Sequence, residues 1–243
     1  MISTSLLFIL AAGVPYYFLL EKVSFLKSKQ IFLLSAFLFL LAIIGSKFVV
    51  NEYSIPFIAV ALVSAIVSIY KATKTTNFYK LAYYLLFVNA PFFLLFEDEA
   101  AMYSISLLVT LSGLFLTGKF YEKHYGSANY HHITGITLVR PYIGTYLTFY
   151  LIALALYPPF PNSLYFLSYI FNSEPGPLWY IVIITLFFGN FFLAMRVMKK
   201  TLFGRPNSNI HYVHMTPMEK ATHMSILVLL LLLSLNGFKE LLS

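Results

Sequence analysis

The feature that most constrains this chain is a series of long apolar runs separated by short charged or prolyl connections. A helix needs about 20 predominantly apolar residues to span a hydrocarbon core ~30 Å thick. Eight segments fit that requirement: roughly 2–20, 31–50, 54–70, 79–96, 101–118, 141–157, 178–198 and 222–241. Each is apolar all round, as lipid-facing or bundle-core helices must be. A further stretch, Ser163 to Phe171, is too short to span. It follows Pro158, Pro159 and Pro161, and so is expected either to continue the sixth helix after a break or to re-enter.

Composition closes off the soluble alternatives. Apolar residues make up 60% of the 243 and charged residues only 10%, against roughly 45–50% and about 25% in soluble domains. A soluble globule could not hide this much apolar surface, so the expected fold is an all-α membrane protein, a single bundle of about eight transmembrane helices broken at Pro158-Pro159. Residues 1–118 supply five helices, 119–140 a polar connection, and 141–243 three more. There is no cysteine, which excludes disulfides, thiolate metal ligation and a cysteine nucleophile. The net charge of +7 is spread between apolar runs and forms no basic face, so nucleic acid is not an expected partner. Met1 to Leu20 lacks a basic leader and a small-residue cleavage site, and reads as a retained membrane helix.

The connections alternate in charge. The odd-numbered ones hold Lys22, Lys27 and Lys29; Lys71, Lys74 and Lys80; Lys119, Lys123 and Arg140; and Arg196, Lys199, Lys200, Arg205 and Lys220, which is 14 of the 16 basic residues. By the positive-inside rule these lie on the cytoplasmic or matrix side and both termini lie opposite. The second connection holds Lys47 and Glu52, the fourth is Glu97-Asp98-Glu99, and the sixth holds Glu174. Gly126 and Gly135 stand alone and Gly204 before Arg205-Pro206 reads as a turn, so no nucleotide-binding glycine loop is present.

Ionisable residues inside the hydrocarbon layer are the usual pointer to an ion or proton pathway, and this chain is poor in them. Lys47, near the outer end of the second helix, reads either as a lysine snorkelling to the headgroups or as a proton acceptor in a channel. The six histidines are read as lying outside the apolar centres. His131 and His132 precede the sixth helix, His211, His214 and His223 precede the eighth, and His124 sits between Lys123 and Tyr125. Interfacial hydrogen bonding is the first expectation for them, a proton relay at the mouth of a pathway the second, and a zinc site the weakest. Glu97-Asp98-Glu99 reads as a solvated loop or an outer-face cation attractant. Asn89, Asn190, Ser104, Ser106, Thr110 and Ser112 place polar groups inside helices, where they bond across helices or satisfy a disrupted backbone.

The stretch from His131 to Pro206 differs in kind. It contains Thr134-Gly135-Ile136, Arg140-Pro141, then Leu156-Tyr157-Pro158-Pro159-Phe160, and a later helix that ends in Arg196, Lys199, Lys200 and Phe203-Gly204-Arg205-Pro206. This arrangement resembles the C-terminal part of the antiporter-like membrane subunits of complex I, a family shared with membrane-bound hydrogenases and Mrp-type cation antiporters. In that family the antepenultimate helix is broken at a Gly-(Leu/Ile)-Pro-Pro-Phe element, matched here by Pro158, Pro159 and Phe160. The resemblance covers about residues 130–242. It departs from the family after the break, where Pro161-Asn162-Ser163-Leu164-Tyr165-Phe166 has nothing titratable, and in the preceding helix, where Ser104-Ile105-Ser106 stands in place of a lysine. Eight helices also replace about fourteen.

The resemblance implies a shortened or split member, structural or with a degenerate proton channel, in the membrane arm of a redox-driven proton pump such as NADH–quinone oxidoreductase. It implies no cofactor in this chain, with flavin, iron–sulfur clusters and quinone in partner subunits, and a respiratory or hydrogenase complex in a mitochondrial inner or bacterial plasma membrane as the setting. A proton path through Lys47, His131 and His132 is the corresponding site expectation. The alternatives are a cation/proton antiporter or ion-coupled uptake subunit of the same family, and a membrane enzyme acting on lipids. The last requires carboxylates near His131, His132 and His211, with Glu21, Glu122 and Glu219 as candidates.

Overall fold

The computed structural model describes residues 2–48, 55–96, 100–131, 133–174 and 176–242. Glu52, the triplet Glu97-Asp98-Glu99 and His132 lie outside the described residues. The described residues form eleven helices: α1 (Ile2–Leu10), α2 (Tyr17–Leu20), α3 (Ser28–Ser46), α4 (Ile55–Lys74), α5 (Phe78–Phe96), α6 (Ala101–Tyr125), α7 (Ile136–Val139), α8 (Pro141–Leu154), α9 (Pro161–Asn172), α10 (Trp179–Thr201) and α11 (Pro217–Leu242). Among the described residues the sole extended pairing is an isolated bridge between Asn77 and Asn129. The chain is an all-helical membrane bundle.

Among the described residues six helices, α3, α4, α5, α6, α10 and α11, are long and apolar enough to cross a bilayer. The two other expected crossings are each assembled from two shorter pieces. Segment 2–20 is not one helix, because the chain leaves helical geometry between Leu10 and Tyr17. Ala12 there takes a left-handed φ of 59°, and Pro15 lacks the N–H that would continue the ladder. The sixth crossing is α8 plus α9, broken at Pro158-Pro159.

That α9 continues α8, instead of turning back, follows from what both touch on α11. Tyr150 bonds His223 and Tyr165 donates to Leu233 O, while Ser168 donates to Glu240 O. Residue numbers rise together along the two elements, so α8 and α9 run parallel to α11 over its length. At 1.5 Å per residue α11 is about 39 Å long. The break, with Pro159 and Phe160 beside Leu230 and Leu231, therefore lies near mid-depth.

Local chemistry explains the helix ends. Asn77 Oδ1 accepts from the Tyr79 and Lys80 amides and caps α5. Gly126, with φ 75°, closes α6 in the left-handed conformation. Pro141 and Pro161 open α8 and α9, where a missing N–H costs nothing. Thr216 and Glu219 form a reciprocal box at the start of α11, with Thr216 N to Glu219 Oε2 at 2.8 Å and Glu219 N to Thr216 Oγ1 at 3.3 Å.

α5 is the axis of the bundle. Of its apolar stretch 89% is buried against other helices, compared with 11% for α11, which lies on the outside. The four odd connections meet at one end. Lys29 lies 3.8 Å from Glu122, Thr76 donates to Asn129 at 2.5 Å, and Lys123 donates to Glu219 at 2.7 Å. The two longest connections interlock there: Thr134 donates to Arg205 O, Thr137 to Leu202 O, and Tyr212 to Thr134 O. Gly135, at φ 62°, is required by this contact, since a Cβ would sit 2.6 Å from Gly204 O. The lone Gly135 and the turn at Gly204 are thus one contact in space.

Candidate functional site: a buried polar column

At the basic end, Glu219 Oε1 accepts from Lys123 Nζ at 2.7 Å and pairs with His124 Nε2 at 3.0 Å. Glu122 accepts from Tyr79 at 2.7 Å and Glu21 from Tyr83 and Tyr84 at 2.6 and 2.7 Å. All three carboxylates that the lipid-enzyme reading needs are thus bonded to tyrosine, lysine or His124. A cavity of about 360 Å³ opens here between α6 and α11, lined by Lys119, Glu122, Glu219, Thr222 and His223 among others.

Below that cavity lies His223, only 2% exposed. Its Nδ1 is 2.9 Å from the Tyr150 hydroxyl, and its ring stacks on Tyr146 at 5.1 Å. Tyr146 and Tyr150 are one turn apart on α8, so they present one face to α11. The Tyr150 ring in turn fills the space above Gly113 of α6, where a Cβ would lie 2.5 Å from Cε1.

The same face of α6 carries the column onward. Thr110 lies about one turn from Gly113. It donates to Ser106 O at 3.0 Å and lies 3.3 Å from Asn162 Oδ1 on α9. Asn162 is fully buried and its Nδ2 has no partner. Two turns further, Tyr103 donates to Asn89 Oδ1 at 2.6 Å, which also accepts from Asn190 Nδ2 at 2.8 Å. Asn89 Nδ2 returns a bond to Asn190 Oδ1 and one to Leu85 O, while Pro91, two residues on, removes the helical donor of Phe87 O. Tyr103, Ser106, Thr110, Gly113 and Thr117 thus form a small-and-polar stripe at helical spacing, built against α5, α8, α9, α10 and α11. Its chemistry is asymmetric: a histidine near the basic end, then hydroxyls and amides.

The sequence-predicted residues fall elsewhere. Lys47 is the exposed cap residue of α3, at the end away from the basic connections. His131 is exposed in the segment before α7, and His132 lies outside the described residues. His124 and His211 line one cavity of about 430 Å³ at the basic end. Among the described residues no three His, Cys, Asp or Glu side chains converge as a metal site. His223 corrects the expectation that it precedes the last helix as an interfacial residue: it lies in the second turn of α11 and is buried. Its signal was present in the sequence: it stands four residues after Glu219, on the face that α8 covers with two tyrosines. No protein-family model matches the chain, and no curated protein matches it.

Two arginines counted as orienting charges are also structural clamps. Arg196 donates to Ala72 O, Thr75 O and the Tyr130 hydroxyl, each at 3.1–3.2 Å. Burial pushes the Tyr130 phenol up, with the Arg196 guanidinium pulling the other way, so it remains a neutral donor to Thr75 O. Arg140 donates to Tyr212 O and Val139 O.

Proposed function

We propose that this chain is a membrane-arm subunit of a redox-driven proton-translocating complex of the NADH–quinone oxidoreductase type, and that it completes the arm without pumping through its own centre. One observation carries this reading: the buried column holds a histidine at one end only. A proton taken up at His223 from the basic end can be shared with Tyr150, but from Thr110 onward every group is a hydroxyl or an amide. Those groups can hydrogen-bond a proton's neighbours; they cannot hold the charge in a low-dielectric interior. The column is a path built at one end and left uncharged at the other.

Support also comes from the match between the sequence element Pro158-Pro159-Phe160 and the broken crossing it produces, placed third from the end among the crossings. Under this reading the basic end faces the cytoplasm or matrix. Flavin, iron–sulfur and quinone chemistry belong to partner subunits.

Purification of the native assembly from its own membrane tests the subunit assignment, with co-purifying redox subunits as the expected result. The second arm measures protons moved per electron pair in assembled complexes that carry His223→Gln or Asn162→Ala. The ratio should stay at the unaltered value while loss of the whole chain lowers the amount of complex. A collapse of the ratio in either variant at normal assembly would place the proton route through this column and overturn the proposal.

A further inference from the structure

The mid-depth break between α8 and α9 leaves a surface that lipid cannot satisfy. Tyr157, Pro158 and Pro159 are exposed, Tyr157 to 60%. Every N–H of the segment is used: Ala155 donates to Leu151 O, Leu156 to Ala153 O, Tyr157 to Ile152 O and Phe160 to Tyr157 O. The prolines have none to give. The carbonyls of Leu154 and Ala155, whose helical donors would be residues 158 and 159, therefore lose those donors inside the bundle, where both residues are buried. At the exposed prolines, no hydrogen bond among the described residues reaches the carbonyls of Pro158 and Pro159. The break is an acceptor-only patch of backbone in the middle of the membrane. Acyl chains carry no donor, and irregular backbone at this depth is tolerated only under protein or beside water.

Next to the patch runs an apolar groove of about 350 Å³ between Phe149, Phe160 and the α11 residues Leu227, Leu231 and Leu235. Its one hydroxyl, Ser234, already donates to Leu230 O. The groove is too apolar to hold water, so the cover must be protein. A second copy meeting this surface about a twofold axis would set one acceptor-only break against another. The occupant must instead bring donors.

We propose that a transmembrane helix of another subunit seats in this groove and presents hydroxyl or amide side chains to the Pro158-Pro159 backbone. The inference rests on the subunit reading above and adds the place and chemistry of one contact. It is tested in the assembled complex, in native membranes, with the photo-crosslinker p-benzoylphenylalanine in place of Tyr157 and, as control, in place of the exposed Val63 on α4. The expected result at 157 is an adduct within a membrane-spanning segment of a protein that co-purifies with the chain in fixed proportion, with lipid adducts at 63. A doubled-mass adduct at 157, or lipid adducts alone, would overturn the proposal. As a second measurement, Tyr157→Cys in this cysteine-free chain should resist a charged, water-soluble maleimide until the complex is dissociated. Prompt modification in the intact complex would also overturn it, by showing water at the break. If the chain co-purifies with fixed partners but the probe at 157 marks lipid, the contact fails and the subunit reading survives. If the chain purifies alone, both fail.

Discussion

The two broken crossings use the same backbone device and meet opposite fates. In the first, Ala12 takes a φ of 59° and Pro15 follows; in the second, Leu156 takes a φ of 58° and Pro158 and Pro159 follow. Around the first break the chain supplies its own cover. Ala11 and Ala12 are fully buried, and the rings of Tyr16 and Tyr17 each pack edge-on against Phe87 of the central helix at 4.8 Å. Around the second, Tyr157 to Pro159 project from the bundle. A helix interruption within a membrane is thus a demand for neighbours, and this chain meets that demand at one break and exports it at the other.

The comparison can be broken experimentally, most forcefully at Gly13. A Cβ there would sit 2.3 Å from the Phe8 ring, so Gly13→Leu overpacks a buried break and should cost about 3 kcal/mol. Thermal survival of the folded chain in detergent reads this. Tyr157→Ala at the exposed break should change the isolated chain by less than about 0.5 kcal/mol while lowering the yield of complex; equal losses in the two variants would erase the distinction. Next in size are the hydroxyl pins. Tyr150→Phe leaves His223 buried without its side-chain partner and should cost about 2 kcal/mol. Tyr17→Phe removes a 3.0 Å bond to Ser68, whose hydroxyl keeps Ser64 O at 2.8 Å, so a loss of about 1 kcal/mol is expected. One small effect has the opposite sign. Ala12→Gly relieves a left-handed alanine worth about 1–2 kcal/mol against an unfolded-chain entropy of about 0.4–1 kcal/mol and a buried methyl worth about 0.8 kcal/mol, a net gain of at most about 0.8 kcal/mol. A measured loss there would mean that the first break is not held by φ.

Much of this was legible in the sequence for reasons that follow from the solvent. Apolar length marks a crossing because lipid demands it, and consecutive prolines mark a break because they remove donors. Both signals are local, and both led to the right elements for α3 to α6, α8 to α11 and Pro158-Pro159. The break at Ala11–Tyr16 was missed because apolarity is blind to backbone path: Ile2 to Leu20 is equally apolar bent or straight, and only Gly13 and Pro15 hinted at the turn. His223 was missed because its burial depends on a partner seventy-three residues earlier, Tyr150. The same holds for Gly135, a lone glycine in the sequence, and Gly204, a turn there, until the two connections are seen to interlock.

The Arg196 clamp has a consequence in time. The carbonyl of Ala72 is bonded by a guanidinium 124 residues further along the chain. A ribosome adding about 5–20 residues per second delivers that arginine on the order of ten seconds after the end of α4 has entered the bilayer. During that interval the carbonyl of Ala72 stands without this donor at the membrane surface, and water or lipid headgroups must hold the place. The fourth and fifth elements of this protein are therefore finished by the tenth, and a truncated nascent chain that stops short of Arg196 would present an unlatched surface to the translocation and quality-control machinery around it.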